Sequence, residues 1–402
     1  MRPFTTTISL DEARRRLNDA VAPIARTERV ALIDAAGRVT AVDLRSEVDV
    51  PPFARSAMDG YAVVAADTTS ASRATPVRLH VVDRIYTGQL PQKSIASGTC
   101  AEIATGAALP AGADAVIMVE ETAITGPDIQ IFAAVTPGQH IGRRGSDIAL
   151  ECVVVRRGDV LNPGRVGALA AIGRTSIEVY ERPKVAILST GNEVVEAGQP
   201  LGPGQIFDVN RFTLAAIVTA QGGVAQAHAP AHDSVEALLA SLDICLAGAD
   251  VVVFSGGSSV GERDLIRDAI AARGDMIFHG IAVKPGKPTA FAKLGGKPFF
   301  GMPGNPTSCL SNAYVLLVPF LRATARLPVL APRVVRVPLG RRIVSAAGRH
   351  QFYTVRVAGG AAFPAFKGSG DITSLSQADG YIEIVVGESV IEQGTVVDVT
   401  LF

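Results

Sequence analysis

The segment "VVVFSGGSSVGERDLIRDAIAAR", residues 251–273, is the most informative one about the fold. Its first four residues are apolar and mostly β-branched, which predicts a short buried strand. The glycine- and serine-rich run after them predicts a tight loop, and "LIRDAIAAR" predicts a helix. A buried strand that passes through a short loop into a helix is the repeating unit of a parallel sheet covered by helices.

The residues on either side repeat this alternation. Further buried strands are predicted at residues 184–190, 276–283 and 298–301. Helices are predicted to begin at an Asn210 cap, at a capping box formed by Asp233 and Glu236, and after Pro306. The alternation predicts a doubly wound, mostly parallel α/β domain over residues 183–326.

The rest of the chain has a different pattern. Ser9 and Glu12 match a capping box, which predicts a helix over residues 9–22. Short alternating or apolar runs, separated by glycine and proline, predict mostly β structure over residues 76–160. Residues 327–402 return to short β runs divided by glycine turns, which predicts a small barrel or sandwich.

Composition restricts the class of protein. The 402 residues contain 38 Lys and Arg and 38 Asp and Glu, so no net charge points to nucleic acid or a membrane as partner. The four cysteines form no C-x-x-C pair, which argues against a disulfide framework or a structural zinc site. They are Cys100, Cys152, Cys245 and Cys309. The chain start lacks the apolar core of a signal peptide, and no apolar run could span a bilayer. We therefore expect a soluble cytoplasmic protein.

Three loops follow predicted strands of the α/β domain. They are "STGNE" (189–193), "SGGSSVGERD" (255–264) and "GMPGNPTS" (301–308). In a doubly wound sheet, ligands bind beyond the carboxyl ends of the strands, and helix N-termini there favour anions. The nearby turn "KPGKP" presents Lys284 and Lys287 on a backbone that its prolines make stiff. Together these features predict a phosphate or oxyanion site.

Carboxylates occur at the same strand ends. They belong to Glu193, Glu262 and Asp264. Asp264 at a helix start would also serve as an ordinary first-turn acid that complements the helix dipole. Carboxylates beside a phosphate repel it unless Mg²⁺ bridges the two, so this mixture is typical of a magnesium-assisted reaction.

A serine hydrolase is the rival interpretation of the central loop. "GSSVG" (257–261) matches the nucleophile elbow of such enzymes, with Ser259 as the nucleophile. The pattern needs a histidine further along the chain, and only His279 and His350 follow. The first lies too close for that fold, and the second lies in the separate C-terminal β part.

Two loops outside the α/β domain have unusual composition. "PPFARSAMDGYAV" (51–63) combines a rigid Pro-Pro with an acid beside glycine, and "GRRGSDI" (142–148) places two arginines and an acid between glycines. Packing and solvated turns would explain either loop on its own.

Taken together, these segments resemble the MoeA family of molybdopterin molybdenumtransferases, which includes the E domain of gephyrin. The motifs appear in the family's order across nearly the whole chain. They are "PPFARSAMDGYAV", "EIATGAALPAGADAVIMVEE", "GRRGSDI", "STGNEV", "DVN", "FSGGSSVGERD", "AVKPGKPTAF", "GMPGNPTS" and "GSGDITSLSQADG".

The resemblance implies four structural parts. Residues 1–45 with 146–182 would form an extended linking domain, and 46–145 an inserted β domain. Residues 183–326 would form the molybdopterin-binding α/β domain, and 327–402 a C-terminal β-barrel. The resemblance also implies a homodimer whose active sites are built by both subunits, with other molybdenum cofactor biosynthesis proteins as candidate partners.

The implied reaction transfers molybdenum from molybdate to adenylylated molybdopterin, with Mg²⁺-dependent release of AMP. A non-catalytic molybdopterin-binding scaffold is the alternative from a different class, as the receptor-clustering side of gephyrin suggests.

The resemblance also assigns residue roles. Catalytic roles fall to Asp264, Asp233, Asp59, Asp147 and Glu193, with Asp264 and Asp233 as Mg²⁺ ligands. Asp59 and Asp147, with Thr105, would come from the partner subunit's side. Substrate contacts within the α/β domain fall to Asp208, Asn210, Ser255, Gly256, Gly257, Ser259, Gly261, Lys284, Lys287, Pro303, Gly304, Asn305, Pro306 and Ser308. Ser369 would join them from the C-terminal barrel.

The sequence departs from commoner family patterns at three places. Ala54-Arg55 replaces an Asp-Asn pair, and Gly280 stands where some members have lysine. Thr354 stands where an arginine is expected on the "QFYTVRV" strand. Arg356 lies two residues on, hence on the same strand face, and is predicted to reach the same anion.

Overall fold

A computed structural model describes residues 7–231, 234–256, 265–345 and 348–402. The chain divides into two units, each with its own apolar core. One unit contains the chain up to Glu28 and from Tyr180 to the end, and the other contains Arg29–Val179. The four-part division expected from the sequence stays a prediction.

A six-stranded sheet forms the centre of the first unit. Its strands, in spatial order, are Val224–Ala227, Lys184–Ser189, Val251–Ser255, Lys297–Met302, Ala290–Leu294 and Gly274–His279. The first four are parallel, as predicted, and Ala290–Leu294 is antiparallel to both of its neighbours. This fifth strand was not predicted, because its apolar run is short and directly follows the proline-rich lysine turn.

Helices cover both faces of this sheet, as the doubly wound pattern predicts. Val185 and Ile187 point to one core, and Ala186 and Leu188 point to the other, because successive strand side chains alternate. The first core is closed by helices Leu10–Asp19, Asn210–Ala220 and the helical segment that begins at Pro306. The second is closed by helices Val235–Gly248 and Leu265–Arg273.

The first helix begins where the capping pattern predicts. Ser9 Oγ accepts a hydrogen bond from the Glu12 N–H at 3.2 Å, which satisfies a free donor of the first turn. The Glu12 carboxylate instead accepts hydrogen bonds from Arg15 and Arg16, and these lower the pKa of Glu12 to about 2. The helix ends at Asp19, three residues before the predicted end.

One predicted helix cap is wrong. Asn210 is the first helical residue and makes no cap, whereas Asp208 Oδ1 accepts the Arg211 N–H at 3.0 Å. A second residue with a suitable side chain thus lies two positions away, and only the backbone path selects between them. The capping box predicted from Asp233 and Glu236 involves a residue outside the described ranges. Within those ranges, Ser234 Oγ accepts the Ala237 N–H at 3.1 Å at the start of the next helix.

The helical segment after Pro306 has three parts. It is α-helical over Pro306–Asn312, widens to a π-helical turn over Ala313–Leu317, and returns to α-helix over Val318–Thr324. Nearly all of its first part is buried.

The C-terminal part of this unit is β-rich. Its main sheet contains, in order, Val283–Lys284, His350–Ala358, Gly380–Ile384, Val396–Leu401 and Val334–Pro338. Strand Ala361–Pro364 pairs with His350–Ala358, and Ile343–Val344 pairs with Val390–Ile391. A helical turn spans Thr373–Ser376. The first strand of the sheet belongs to the lysine turn, so this β part directly borders that turn.

The second unit is mostly β, as predicted. Its six-stranded sheet contains Ala115–Met118, Gly60–Val63, Thr99–Ile103, Val77–Ile85, Asp128–Ile131 and Thr122–Thr125. Paired short strands are Leu44–Arg45 with Val153–Val155, Arg55–Ser56 with Ile141–Gly142, and Thr27–Ala31 with Ser176–Tyr180. Helix Pro163–Ala171 is capped by Asn162. Single 3₁₀ turns occur at Leu32–Asp34, Ala65–Thr68 and Val119–Glu121.

All four cysteines are free thiols. Burial raises the pKa of Cys100 to about 12 and that of Cys245 to about 11, and it also raises the pKa of Cys309. Buried thiols of this kind are unreactive at neutral pH.

None of the helices in the described ranges is long and apolar enough to cross a membrane.

Candidate oxyanion cleft

A cleft of about 1040 Å³ lies beyond the carboxyl ends of three parallel strands of the central sheet. These strands end at Ser189, Ser255 and Met302, and described residues of the loops that follow them line the cleft. The lysine turn and a segment of the C-terminal β part form its other walls. The position is the one expected for a ligand site in a doubly wound sheet.

The floor of the cleft is a buried polar network centred on Asp208. Its Oδ1 accepts hydrogen bonds from Ser189 Oγ at 2.8 Å and from the Arg211 N–H at 3.0 Å. Ser189 Oγ also lies 3.2 Å from Ser255 Oγ, which joins two neighbouring strand ends. The Arg211 guanidinium donates to Glu196 and to the His228 carbonyl. Since Asp208 and Arg211 are both buried, the network rigidly sets the shape of the floor.

Glycines allow the loops to approach one another closely. Gly256 has φ +93°, and a Cβ there would lie 2.3 Å from the Thr190 carbonyl oxygen. A Cβ on Gly304 would lie 3.4 Å from the Gly256 Cα, so these two loop backbones are nearly in contact. Asn210 Nδ2 donates to the Gly304 carbonyl at 2.7 Å, which ties the third loop to the helix over Asn210–Ala220.

Lys284 and Lys287 both line the cleft and are half-buried. Val283–Lys284 pairs in parallel with His350 and Gln351 of the C-terminal β part. The turn between the lysines passes through Gly286 at φ +101°, a backbone conformation that favours glycine.

Ser369 completes the opposite wall. Its Oγ accepts a hydrogen bond from Asn305 Nδ2 at 2.9 Å, and its carbonyl accepts the Thr307 N–H at 3.1 Å. Thr307 Oγ1 donates to the Asp371 carbonyl at 2.7 Å. Residues of the C-terminal β part and of the strand-end loops are therefore held together at this side of the cleft.

Cationic side chains of the cleft include one that sequence reasoning missed. Arg349 lines the cleft together with the two lysines, and Glu193 and Asp208 supply the carboxylates. The only sequence signal for Arg349 is a Gly-Arg turn before a β run, which is common at any surface. The prediction for Arg356 is wrong: it is exposed and is not among the lining residues, while Thr354 is buried. Gly280 does not line the cleft either.

The predicted site residues fall into three groups. Those that the structure brings together around the cleft are Glu193, Asp208, Asn210, Ser255, Gly256, Lys284, Lys287, Pro303, Gly304, Asn305, Pro306, Ser308 and Ser369. Those outside the described residues are Asp233, Gly257, Ser259, Gly261, Glu262 and Asp264. Those in the Arg29–Val179 unit are Asp59, Thr105 and Asp147.

Two members of the last group are in direct contact. Asp59 Oδ1 accepts the Thr105 N–H at 2.7 Å, and both side chains are exposed. Asp147 is also exposed, and its backbone N–H donates to the Val50 carbonyl at 3.0 Å. In the neighbouring turn, Arg144 Nε forms an ion pair with Asp49 at 2.7 Å.

Oxygen atoms on the cleft floor are left without hydrogen bonds in the described part of the chain. They are Thr190 Oγ1, Asp208 Oδ2 and Asn210 Oδ1. Arg211 Nε lies 3.5 Å from Asp208 Oδ2, too poorly aligned for a hydrogen bond. Within the described ranges no group of three or more His, Cys, Asp or Glu side chains could hold a metal ion. Any metal site there would therefore also use other oxygen ligands or residues outside those ranges.

Comparison with known families divides the chain into three matched regions. Residues 8–173 match a model described as the MoeA N-terminal region (domain I and II). Residues 186–323 match a probable molybdopterin binding domain, and residues 336–402 match the MoeA C-terminal region (domain IV).

Named relatives agree with these matches. Molybdopterin molybdenumtransferase 2 of Mycobacterium tuberculosis is 36% identical over 329 residues, which cover 80% of this chain and 81% of the relative. The molybdopterin molybdenumtransferase of Haemophilus influenzae is 36% identical over 315 residues, covering 78% of this chain and 77% of the relative.

A solved structure extends the similarity to the fold. The molybdopterin biosynthesis MoeA protein from Pyrococcus horikosii superposes with a TM-score of 0.85 at 39% identity, covering 98% of this chain and 99% of that one. Fold and cleft together define a multidomain α/β and β protein with a cleft at the carboxyl ends of its parallel strands. The chain belongs to the MoeA family, which confirms the resemblance and the fold class predicted from the sequence motifs.

Proposed function

We propose that this protein transfers molybdenum from molybdate to adenylylated molybdopterin and releases AMP in a Mg²⁺-dependent reaction. The observation that carries the proposal is the position of the lysine turn. Lys284 and Lys287 face the same cleft as three glycine-rich strand-end loops. Cations opposite backbone N–H groups of this kind bind oxyanions and phosphates.

The described residues suit two anions side by side. Lys284, Lys287 and the buried Ser308 would hold molybdate, with two positive charges and a hydroxyl donor. The loop that begins at Ser255 and Gly256 and the turn over residues 303–306 would receive the pterin phosphate and nucleotide through backbone N–H groups. The half-buried lysines lose part of their contact with water, which strengthens their attraction to a bound anion.

Mg²⁺ would be held by Asp264 and Asp233, both outside the described residues, with Glu193 nearby. The unpaired floor oxygens described above are the hard ligand type that Mg²⁺ prefers, so the donor chemistry of the cleft fits the ion. When bound, Mg²⁺ neutralises phosphate charge and favours cleavage of the phosphoanhydride. Asp59, Thr105 and Asp147 would act from a partner subunit in a cytoplasmic homodimer.

AMP release after addition of molybdate tests the proposal. The purified protein is incubated with adenylylated molybdopterin and Mg²⁺, and AMP is followed by chromatography with molybdate, with tungstate and without oxyanion. We expect oxyanion-dependent release that Asp264→Asn abolishes while the melting temperature is unchanged. Lys287→Met should lower kcat/KM for molybdate roughly 100-fold, the usual effect of removing one donor to a reacting oxyanion.

Lys293→Met is the matched control, because Lys293 is exposed and does not line the cleft. It should leave kcat/KM unchanged. Tight binding of adenylylated molybdopterin with no oxyanion-dependent AMP release would instead favour the scaffold alternative. An esterase activity that is lost in Ser259→Ala would favour the hydrolase.

A further inference from the structure

A buried amide holds the lysine turn from behind. Asn312, the last residue of the Pro306–Asn312 helix, has no exposed surface. Its Nδ2 donates to the Gly286 carbonyl at 2.8 Å and to Thr289 Oγ1 at 2.6 Å. Thr289 Oγ1 in turn donates to the Gly286 carbonyl at 2.9 Å. The three groups form a closed hydrogen-bonded triangle beneath the turn.

The orientation of this amide is determined by its partners. The Gly286 carbonyl can only accept, and the Thr289 hydroxyl proton is already directed to that carbonyl. The atom of Asn312 that faces both must therefore be the NH₂ group. Asn312 Oδ1 is buried and has no hydrogen-bond partner among the described residues. A buried unpaired carbonyl costs stability, and the two hydrogen bonds that the NH₂ group donates to the turn offset that cost.

The turn is packed against this amide without free space. Gly286 has φ +101°, and a Cβ there would lie 2.2 Å from Asn312 Nδ2. On the other side, the Ile281 N–H donates to the Lys287 carbonyl at 2.9 Å. The Gly280 N–H likewise donates to the Thr289 carbonyl at 2.9 Å. The backbone on both sides of Lys287 is therefore held by buried or backbone partners.

This arrangement sets the direction of a cleft lysine. The Gly286 carbonyl and the Lys287 nitrogen belong to one planar peptide unit, so fixing the carbonyl also fixes where the Lys287 Cα begins. The same helix carries Ser308 in the cleft wall. One rigid segment thus determines the separation between Lys287 and Ser308, two groups that face the same ligand.

We propose that Asn312 is a positioning residue for oxyanion binding, which acts by holding the Gly286–Lys287 peptide at a set distance from Ser308. The inference rests on the proposed function, since it assigns the oxyanion to this turn. Small displacements of binding groups strongly weaken such sites, because the geometry must match the bound anion.

Asn312→Leu tests this role. Leucine has a similar volume and removes the donor, while the Gly286 carbonyl keeps its bond from Thr289. We expect the half-saturating molybdate concentration for AMP release to rise about tenfold, with kcat at saturation changed less than about threefold. Thr289→Val removes the second member of the triangle and should act in the same direction. Thr324→Val is the control. It removes the buried hydrogen bond that Thr324 Oγ1 donates to the Phe320 carbonyl, far along the chain from the lysine turn. It should change neither constant.

A double-mutant cycle separates positioning from general destabilisation. If Asn312 acts through Lys287, Asn312→Leu should have little further effect on kcat/KM for molybdate when Lys287 is already replaced by Met. Hydrogen exchange of the amides over residues 284–290 should be at least about fivefold faster in Asn312→Leu and unchanged in Thr324→Val.

The possible results distinguish a failure of the positioning role from a failure of the proposed function. The positioning role would be overturned if the fold-effects of Asn312→Leu and Lys287→Met on kcat/KM for molybdate multiplied fully in the double mutant. Unchanged hydrogen exchange over residues 284–290 in Asn312→Leu would also overturn it. A wild-type protein with no oxyanion-dependent AMP release would overturn the proposed function instead. The exchange measurement would then still decide whether Asn312 holds the turn.

Discussion

Gly60, in the loop of unusual composition at residues 51–63, is explained by the close packing of its strand. It follows Asp59 in the "SAMDGYAV" motif and lies on a buried strand between two partners. A Cβ there would lie 1.9 Å from the Ile117 carbonyl oxygen, so no side chain fits. Asp59 in turn accepts the Thr105 N–H, which fixes the exposed face of the same loop. The glycine is therefore required by close backbone approach.

Gly60→Ala should destabilise the protein by about 3 kcal/mol, because the added methyl group forces two paired strands apart. The measurement is the free energy of unfolding in urea. Gly167→Ala is the matched control: Gly167 lies on the exposed face of helix Pro163–Ala171, with nothing within 4 Å of a Cβ. Alanine there should stabilise by about 0.5–1 kcal/mol. A loss for Gly60→Ala no larger than about 0.5 kcal/mol would show that the strand pairing tolerates a side chain.

Asp208 contributes both to the start of a helix and to the floor of the cleft. One carboxylate oxygen accepts hydrogen bonds from the Arg211 N–H, at the start of the helix over Asn210–Ala220, and from Ser189 Oγ, and the other is buried without a hydrogen-bond partner among the described residues. Its buried neighbour Arg211 compensates its charge at 3.5 Å. Removal of one member of a buried charged pair leaves the other uncompensated, so the stability and the floor geometry of the cleft depend on the same two residues.

At the scale of elements, the segment Pro306–Asn312 is the main organiser of the cleft. Pro306 and Ser308 line the cleft, Thr307 forms hydrogen bonds with the Ser369 loop, and Asn312 forms hydrogen bonds with the lysine turn. Most of its side chains are buried, so its position is determined by the core of the sheet. The site is therefore built on a rigid element, which is the arrangement that precise binding requires.

A second element-scale test concerns the helix over Val235–Gly248. Ser234→Ala removes the oxygen that accepts the Ala237 N–H and should lower the free energy of unfolding by about 1 kcal/mol. Ser234→Asp retains an acceptor and should preserve stability. The comparison uses urea unfolding followed by circular dichroism. If Ser234→Ala and Ser234→Asp unfolded at the same urea concentration, the cap would have no energetic role.

At the scale of the whole molecule, the two units have separate apolar cores. The core around Leu161, Leu169 and Val179 contains only residues of the Arg29–Val179 unit. The cores above and below the central sheet contain only residues of the other unit. Units with their own cores of this size can fold independently.

A fragment of residues 27–180 should therefore fold alone. It includes both strands, Thr27–Ala31 and Ser176–Tyr180, that pair at its ends. We expect a cooperative thermal transition and a free energy of unfolding of about 5 kcal/mol or more. Calorimetry and a dispersed amide NMR spectrum are the measurements. A fragment that binds hydrophobic dyes and melts without a cooperative transition would contradict the expectation.

Much of this architecture is determined by local sequence. Buried strands such as Lys184–Ser189 and Val251–Ser255 contain continuous apolar runs, at residues 185–188 and 251–254, and Gly256 after the second strand allows a close approach to another loop. The spacing of hydrophobic residues and the residue preferences of turns act over a few residues, so both can be recognised without knowing the fold. Because parallel strands end at one edge, the sequence also predicted which loops would meet, and Lys284 and Lys287 were expected beside them.

Which side chains form hydrogen bonds with one another depends on the tertiary structure. The cap at Asp208 instead of Asn210, and Arg349 in the cleft instead of Arg356, follow from the backbone path. Asn312 lies 26 residues from its partner Gly286 and shows no sequence signal, because its hydrogen bonds are made to a segment distant in the chain. Sequence patterns therefore determined the elements and the kind of site. The exact contacts depended on long-range packing. A hydrogen bond forms only when donor and acceptor lie within a few ångströms, and for two segments distant in the sequence this depends on how they pack.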